Sequence, residues 1–473
     1  MRVLLINPPR ENEIIGNNPE IIESERGYNP PLGLLYLASY LEQHTDHQVW
    51  VIDAQVQQLS HVRLQAEIAR VRPDAVGITV MTLTLLDVML TVESVKSVNR
   101  DITVILGGPH VHLFPDESIQ LPDVDYLVLG EGEEAFADLL DHLGDREALA
   151  CTQGIVFRDG DGIINTGVRP FIDDLDRLPF PARHLVPYEK YTSLLSKGGV
   201  VTTTFTSRGC PFQCSFCDRP QLGKRFRARS AGNVVDEMET CVEMGIHEFL
   251  IYDDTFTVKK DRAVEVCNEI VKRGLDVSFD IRSRVDTIDE TVIKALKAAG
   301  CAGIHYGVEA GTNRVLKILN KGISLEQVRV AFDLTRQYDI PILAYWMIGN
   351  PHETLADIHE TFRLQRQLKP DFVHMTVLTP FPGTEVYREA METGIIEGDV
   401  WRAFAANPTP GFEPPHWGEN FTREELNELL VYGYKQFYMR PGYILQRIAK
   451  LRSWSEFRKK ARAGLRVLTM GRG

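Results

Sequence analysis

Short apolar segments alternate with helix-period segments in two successive blocks, and this alternation limits the possible folds more than any other property of the chain. In the first block the apolar runs are residues 3–6, 49–52, 75–80, 104–106 and 126–129. Helical patterns occupy 31–41, 62–71, 86–98 and 134–143. Runs apolar at every position suit strands covered on both faces, which means a parallel sheet between helix layers. The runs end in small or turn-forming residues: Asn7-Pro8-Pro9, Asp53, Thr79, Gly107-Gly108-Pro109-His110 and Gly130-Glu131-Gly132. Ligands of such sheets bind at the carboxyl ends of the strands. The first block therefore predicts a Rossmann-like or flavodoxin-like doubly wound domain over residues 1–145.

The second block has runs at 202–206, 248–252, 277–281, 303–308, 341–347 and 372–377. Helical patterns at 231–244, 262–273, 290–299, 325–338 and 355–368 separate them. Six strands with intervening helices predict a parallel barrel or part of one, over residues 200–407. Residues 146–199 hold two short β-like pieces and a loop rich in Asp and Pro, read as a linker that straps the domains together. Residues 408–473 read as a small helical segment. The expected class is α/β throughout.

Charge narrows the function. Lys and Arg number 52 against 65 Asp and Glu, a net charge of −13, opposite to the basic face that nucleic acid demands. The exception is the end of the chain: from Lys435 onward eleven basic residues face one acid, Glu456, with aromatic and aliphatic residues interleaved. A basic amphipathic helix of this kind can lie on an anionic membrane or pack on the barrel. No apolar run approaches the roughly 18 residues of a membrane span, and the N-terminus does not read as a signal peptide. Seven cysteines, too few for a disulfide scaffold, predict reduced thiols and a cytoplasmic protein.

Three of those cysteines stand together in Ser207-Arg208-Gly209-Cys210-Pro211-Phe212-Gln213-Cys214-Ser215-Phe216-Cys217. This stretch follows the first strand of the second block, at the end where barrels build active sites. A structural zinc normally takes four ligands, and no closing Cys or His pair follows at finger spacing. Three thiolates can hold a [4Fe–4S] cluster and leave one iron open to a small molecule. A buried cysteine cluster, or zinc with a distant fourth ligand, is the alternative on spacing alone.

With Phe216 before the last cysteine, the motif resembles the signature of the radical S-adenosylmethionine (SAM) superfamily. Later segments resemble the family at successive strand ends: Tyr252-Asp253-Asp254-Thr255-Phe256-Thr257, Asp280-Ile281-Arg282, Gly307-Val308-Glu309-Ala310-Gly311, Met347-Ile348-Gly349-Asn350-Pro351-His352-Glu353-Thr354 and Thr379-Pro380-Phe381-Pro382-Gly383-Thr384. The resemblance implies a cluster on Cys210, Cys214 and Cys217, with SAM chelating the open iron and yielding a 5′-deoxyadenosyl radical on one-electron reduction. It implies SAM contacts at Phe216, Asp254, Arg282 and Glu309: Asp254 near the amino group, Glu309 and Arg282 near ribose or carboxylate. Many members carry Gly-Gly-Glu where this chain has Tyr252-Asp253-Asp254-Thr255. A salt-bridged barrel rim stays open as a reading of Asp253, Asp254 and Arg282.

The first block resembles the cobalamin-binding domains fused to such barrels, through Asn7-Pro8-Pro9, Pro31-Leu32-Gly33-Leu34, Val76-Gly77-Ile78-Thr79, Gly107-Gly108-Pro109-His110 and Gly130-Glu131-Gly132-Glu133. Implied cobalamin contacts are Asn7, Thr79, Gly107, Gly108, Gly130 and Glu131. The Asp-x-His-x-x-Gly motif that supplies a cobalt ligand elsewhere is missing, so His110 and His112 read as surface-loop histidines. Gly130 to Ala135 also fits G-x-G-x-x-A, but on the last strand of its domain, which sets a dinucleotide site aside. Cys151, Cys241, Cys267 and Cys301 read as packing residues.

The implied enzyme methylates an unactivated carbon of a hydrophobic small molecule, using two SAM per methyl group. The alternative is radical oxidation or ring closure of a tetrapyrrole or lipid, as in the anaerobic magnesium-protoporphyrin monomethyl ester cyclases, which the layout also resembles. Expected partners are the small-molecule substrate, a flavodoxin or ferredoxin as electron donor, and a membrane surface at the basic C-terminal segment, with no nucleic acid. Methylthio transfer to tRNA is disfavoured because no second cysteine cluster or basic RNA-binding domain is visible. A non-catalytic sensor would not need the full set of strand-end residues.

Overall fold

The computed structural model describes residues 1–16, 27–193, 199–219 and 221–449. Most of the basic tail, on which the membrane expectation rests, lies outside the described residues.

The first sheet has seven strands in the order β2-β1-β3-β4-β5-β6-β7. Its parallel part comprises β1 (Arg2–Asn7), β2 (Gln48–Asp53), β3 (Ala75–Thr79), β4 (Thr103–Gly107) and β5 (Tyr126–Val128). Two antiparallel strands, β6 (Ile155–Asp159) and β7 (Gly162–Asn165), extend it. The two β-like pieces read as part of a linker thus belong to the first sheet. Alternate residues of β1 feed the two faces: Leu4 and Ile6 enter one core, Val3 and Leu5 the other. Burial on both faces is why the run is apolar at every position. Order 2-1-3-4-5 is the flavodoxin-like doubly wound arrangement.

The second sheet is wholly parallel. It comprises β8 (Val201–Thr204), β11 (Glu248–Ile251), β12 (Ser278–Ser283), β13 (Cys301–Glu309), β14 (Ile342–Ile348) and β15 (Phe372–Val377), each beside its predecessor. The outer strands β8 and β15 do not pair, so the barrel is open. A two-stranded antiparallel pair, β9 (Ser207–Arg208) and β10 (Arg227–Ala228), brackets the cysteine loop. Outward side chains such as Phe249, Phe279, Ile304, Tyr306 and Trp346 form the core beneath the helices. Inward positions are half-buried and more polar: Asp280, Arg282, His305, Tyr345 and His374.

Helix Arg423–Tyr438 closes one side of the barrel, opened by a capping box of Thr422 and Glu425. Its Tyr434 hydroxyl both donates to the Met375 carbonyl and accepts from the Met375 amide. Helix Pro441–Ala449 follows, with Ile444 and Leu445 exposed. Among the described residues no helix is long and apolar enough to cross a membrane. Cys241, Cys267 and Cys301 are buried, as expected of small hydrophobes, whereas Cys151 is exposed at the end of helix Arg146–Cys151 and does not pack in a core.

One close approach locks the barrel wall. A Cβ on Gly311 would stand 2.3 Å from the Thr361 Cα and 2.4 Å from its nitrogen, and the Gly311 amide donates to Thr361 Oγ1 at 2.8 Å. Backbone meets backbone here, so neither side can yield. Gly311→Ala is expected to cost about 3 kcal/mol or more, read as a lowered unfolding midpoint in denaturant.

Candidate active site where the two sheets meet

Both parallel sheets present their carboxyl ends to one another. From the first domain, Leu83 after β3 and Leu113 and Phe114 after β4 enter an apolar cluster with Phe216, Met347, Leu378, Trp401 and Trp417 of the second. A side chain at Gly383, after β15, would collide with Asp218 and come within 3.2 Å of Leu113. After β5, Glu131 and Glu133 pair with Arg208 across the junction at 2.8 and 2.5 Å. The junction between the strand ends of both domains holds most of the residues singled out from the sequence.

The cysteine loop is built at its entrance by Asp253. One carboxylate oxygen accepts the Thr206 and Ser207 amides and the other their two hydroxyls. Asp253 is therefore a buried anchor for the loop and takes no part in a rim salt bridge. Gly209 then turns the chain at φ +77°, with no room for a side chain because a Cβ would lie 2.3 Å from the Arg225 carbonyl oxygen. Farther on, the Ser215 amide donates to the Leu319 carbonyl and Asn320 Nδ2 to the Gln213 carbonyl. Cys210 is buried, and Cys214 and Cys217 are half-buried.

The donor set fits a [4Fe–4S] cluster. Among the described residues no three His, Cys, Asp or Glu side chains gather into a site for one metal ion. That argues against zinc, while a cubane places each thiolate on its own iron. Cationic groups suited to an anionic cluster surround the loop. Arg284 Nη1 lies 3.7 Å from Cys214 Sγ, and Lys321 Nζ lies 5.7 Å from the centre of the Phe216 ring. Burial pushes the Cys217 thiol up to about 11, with Arg219 opposing it.

The expected SAM residues divide into two groups. Asp254 is brought to the loop, pairing with Arg219 Nε at 2.9 Å. Glu309, at φ +71°, pairs with Lys321 at 2.7 Å beside Phe216. Gly307 makes room for this pair, since a Cβ there would stand 2.4 Å from Glu309 Oε1. Arg282 forms no ion pair with them: its guanidinium lies over the Tyr252 ring at 4.2 Å, within the barrel.

Asn7, Thr79, Gly107, Gly108 and Gly130 line the carboxyl edge of the first sheet, where a large cofactor can approach backbone. Gly108 has φ +113°, and a Cβ would crowd the Val80 carbonyl oxygen at 2.9 Å. Asn7 is bonded to Asp53 at 2.8 Å. The Glu131 carboxylate is already engaged by Arg208, Arg227 and the Ile172 amide. Burial would raise its pKa, but Arg208 and Arg227 outweigh that and hold it below the ordinary value. His110 corrects the expectation of a surface histidine: it is fully buried against Phe114, with Nδ1 3.0 Å from Thr82 Oγ1 and Nε2 without a partner. Burial pushes its pKa down to about 4, so the ring is neutral. His112 is half-buried, with Nδ1 likewise unpartnered. Glycine-lined backbone and an orphaned buried imidazole nitrogen beside this edge fit a large polar cofactor such as cobalamin.

Sequence reasoning quoted Glu353 within a strand-end segment after β14 and gave it no role. It is buried and accepts from the Asn350 amide and side chain at 3.0 and 3.1 Å, while its second oxygen has no partner. Burial raises its pKa to about 7. A folded-state value above the ordinary 4.5 means this group's stabilising contribution is full below about pH 4.5 and is lost as pH rises through about 7. Glu353→Gln is thus expected to gain melting temperature relative to the native chain between about pH 5 and about pH 8. An offset that does not change with pH would contradict this.

Comparison with known proteins agrees with the geometry. The family profile of the radical SAM superfamily matches residues 204–364, and that of the B12 binding domain matches 21–140. The chain is 34% identical to an uncharacterized methyltransferase of Pyrococcus horikoshii, covering 95% of each protein. It is 30% identical to the anaerobic magnesium-protoporphyrin IX monomethyl ester cyclase of Rubrivivax gelatinosus, over 94% of this chain and 78% of that one. In fold it matches the radical SAM methyltransferase TsrM of Kitasatospora setae, solved with cobalamin and a [4Fe–4S] cluster bound, at a TM-score of 0.68, 21% identity, and 83% and 78% coverage of this chain and that one. The two matched domains carry as their cofactors a [4Fe–4S] cluster with SAM and a cobalamin. The protein is accordingly a radical SAM enzyme, and the chain belongs to the cobalamin-dependent radical SAM methyltransferase family.

Proposed function

We propose that the protein methylates an unactivated carbon of a small molecule held between the two facing sheets. The observation that supports this reading most is the junction itself, where the cysteine loop adjoins the strand ends of the first domain. When bound, the cluster supplies the electron that cleaves SAM, and cobalamin carries the methyl group. The residues of this chain do the rest. Cys210, Cys214 and Cys217 hold the cluster, and Arg284, Arg219 and Lys321 offset its charge. Phe216, Asp254 and Glu309 position SAM beside it. Asn7, Thr79, Gly107, Gly108 and Gly130 hold cobalamin, and Glu131 acts as a strut between domains. The half-exposed Met81 and Phe381 offer apolar surface to the hydrophobic part of a substrate.

In this reading residues 1–145 bind cobalamin, 146–199 connect and complete the first sheet, 200–407 form the radical SAM domain, and 408–473 form the helical segment. The electron comes from a flavodoxin or ferredoxin. The exposed Ile444 and Leu445, continuing into the basic tail, support peripheral contact with a membrane. Incubating the reconstituted enzyme with methyl-labelled SAM and a metabolite extract tests the reaction by mass spectrometry. A product that gains one labelled methyl group supports it. A product that loses two hydrogens without label would instead establish the cyclase-like alternative.

A further inference from the structure

The barrel interior carries a row of polar side chains from three neighbouring strands. His305 of β13 has Nε2 3.4 Å from Asp280 Oδ2 of β12 and Nδ1 3.2 Å from the Tyr345 hydroxyl of β14. Burial raises the Tyr345 pKa, and the positive charge of the nearby Arg282 opposes it. The sheet register sets Arg282 beside His305, and the Tyr252 ring supports the guanidinium from one face. His305 thus bridges Asp280 and Tyr345, with Arg282 next to it. Gly303 makes the space, because a Cβ there would stand 2.9 Å from Asp280 Oδ1. A cavity of about 210 Å³ lies beyond the Asp280 end of the row, at the amino ends of the strands (Val201, Glu248, Ser278, Ile342 and Phe372), and neither Arg282 nor Tyr345 lines it.

Arg282 differs from the other cations around these strand ends. Arg208, Arg219, Arg284 and Lys321 each face a carboxylate at 2.5–2.9 Å. Among the described residues none lies within ion-pair distance of Arg282. A guanidinium stacked on an aromatic ring keeps its N–H edge free for in-plane, bidentate contact with an anion. A wholly apolar occupant would cover that half-buried cation without pairing it, at a desolvation cost.

We propose that Arg282, with Tyr345 and His305, is the receptor for an anionic group, carboxylate or phosphoryl, on the methyl acceptor. The inference rests on the methyltransferase reading above and changes its substrate from hydrophobic to amphiphilic. The carboxylate of SAM is the other source of the same chemistry, and the test separates the two.

The full chain is reconstituted anaerobically with iron, sulfide and hydroxocobalamin, saturated with SAM, and titrated calorimetrically with methylphosphonate, acetate and, as a neutral control, acetamide. The native enzyme is expected to bind an anion saturably and acetamide not at all. Arg282→Gln should weaken anion binding about tenfold or more with SAM affinity unchanged, and Arg282→Lys should restore part of it. If Arg282→Gln does not retain the cluster absorbance, Tyr345→Phe is read in its place and should weaken anion binding in the same direction. No saturable anion binding to the SAM-loaded native enzyme would overturn the proposal. So would an Arg282→Gln variant that loses SAM affinity and keeps anion binding, which assigns the guanidinium to SAM. Failure of the native chain to retain corrinoid would instead defeat the methyltransferase reading, so the two failures are distinguishable.

Discussion

Replacing Cys210, Cys214 and Cys217 together by alanine is expected to reduce 5′-deoxyadenosine formation from SAM to background and to leave the chain without cluster iron, while the fold survives. The expectation of a surviving fold comes from how the loop is held. Its entrance hangs on Asp253, its middle on the Leu319 carbonyl and Asn320, and its far side on the Val386 amide, which donates to the Ser215 carbonyl. None of these contacts uses a thiol. Chromatography of the SAM products, with iron analysis and the far-ultraviolet spectrum of the same sample, separates lost chemistry from lost structure. Undiminished 5′-deoxyadenosine from a folded triple variant would remove the cluster from this loop.

Glu131→Ala is expected to have the largest effect on stability. The carboxylate lies between two buried guanidiniums, Arg208 and Arg227, the latter at 2.7 Å, and also accepts the Ile172 amide. Removing it leaves two buried cations with one carboxylate, Glu133 on Arg208, and gives Arg227 only the neutral Ile172 and Leu222 carbonyls as acceptors. Breaking a buried pair from one side typically costs about 3–5 kcal/mol. Because the strut joins the two domains, the loss should appear as an earlier thermal transition and faster proteolytic cleavage at the junction. Glu133→Ala, which removes one ion pair, should do less. The experiment also decides between two roles for Glu131. Resemblance placed it at cobalamin, and a variant of native stability that loses corrinoid would uphold that role against the strut.

What could be read from the sequence follows from how local its physical cause is. Strands buried on both faces announce themselves, because each inward and outward position must be apolar. The runs at 3–6 and 75–80 accordingly reappear as β1 and β3. The cysteine loop was legible because its ligands are contiguous. Contacts between distant segments were not. Asp253 and Asp254 are adjacent, yet one is sealed under four donors and the other reaches Arg219. His110 follows two glycines and a proline, a surface-like context, but Phe114 beside it is covered by the Trp401 and Trp417 cluster from the far end of the chain. The inward row of Asp280, His305 and Tyr345 joins strands separated by whole helices, and only register sets them in a diagonal, each stepped two residues beyond the last. Strands β6 and β7 were missed as part of the first sheet because a short antiparallel pair carries no periodicity that distinguishes it from a strap.

The central claim is that cluster and cobalamin occupy one cleft between facing sheet ends. It is tested most directly by electron paramagnetic resonance of the full chain loaded with both cofactors and reduced until cobalt and cluster are paramagnetic. The account predicts a corrinoid retained through gel filtration and a cobalt signal broadened by dipolar coupling to the cluster, lost in the triple cysteine variant. Two independent spectra that do not perturb one another, or a chain that keeps the cluster and no corrinoid, would contradict it.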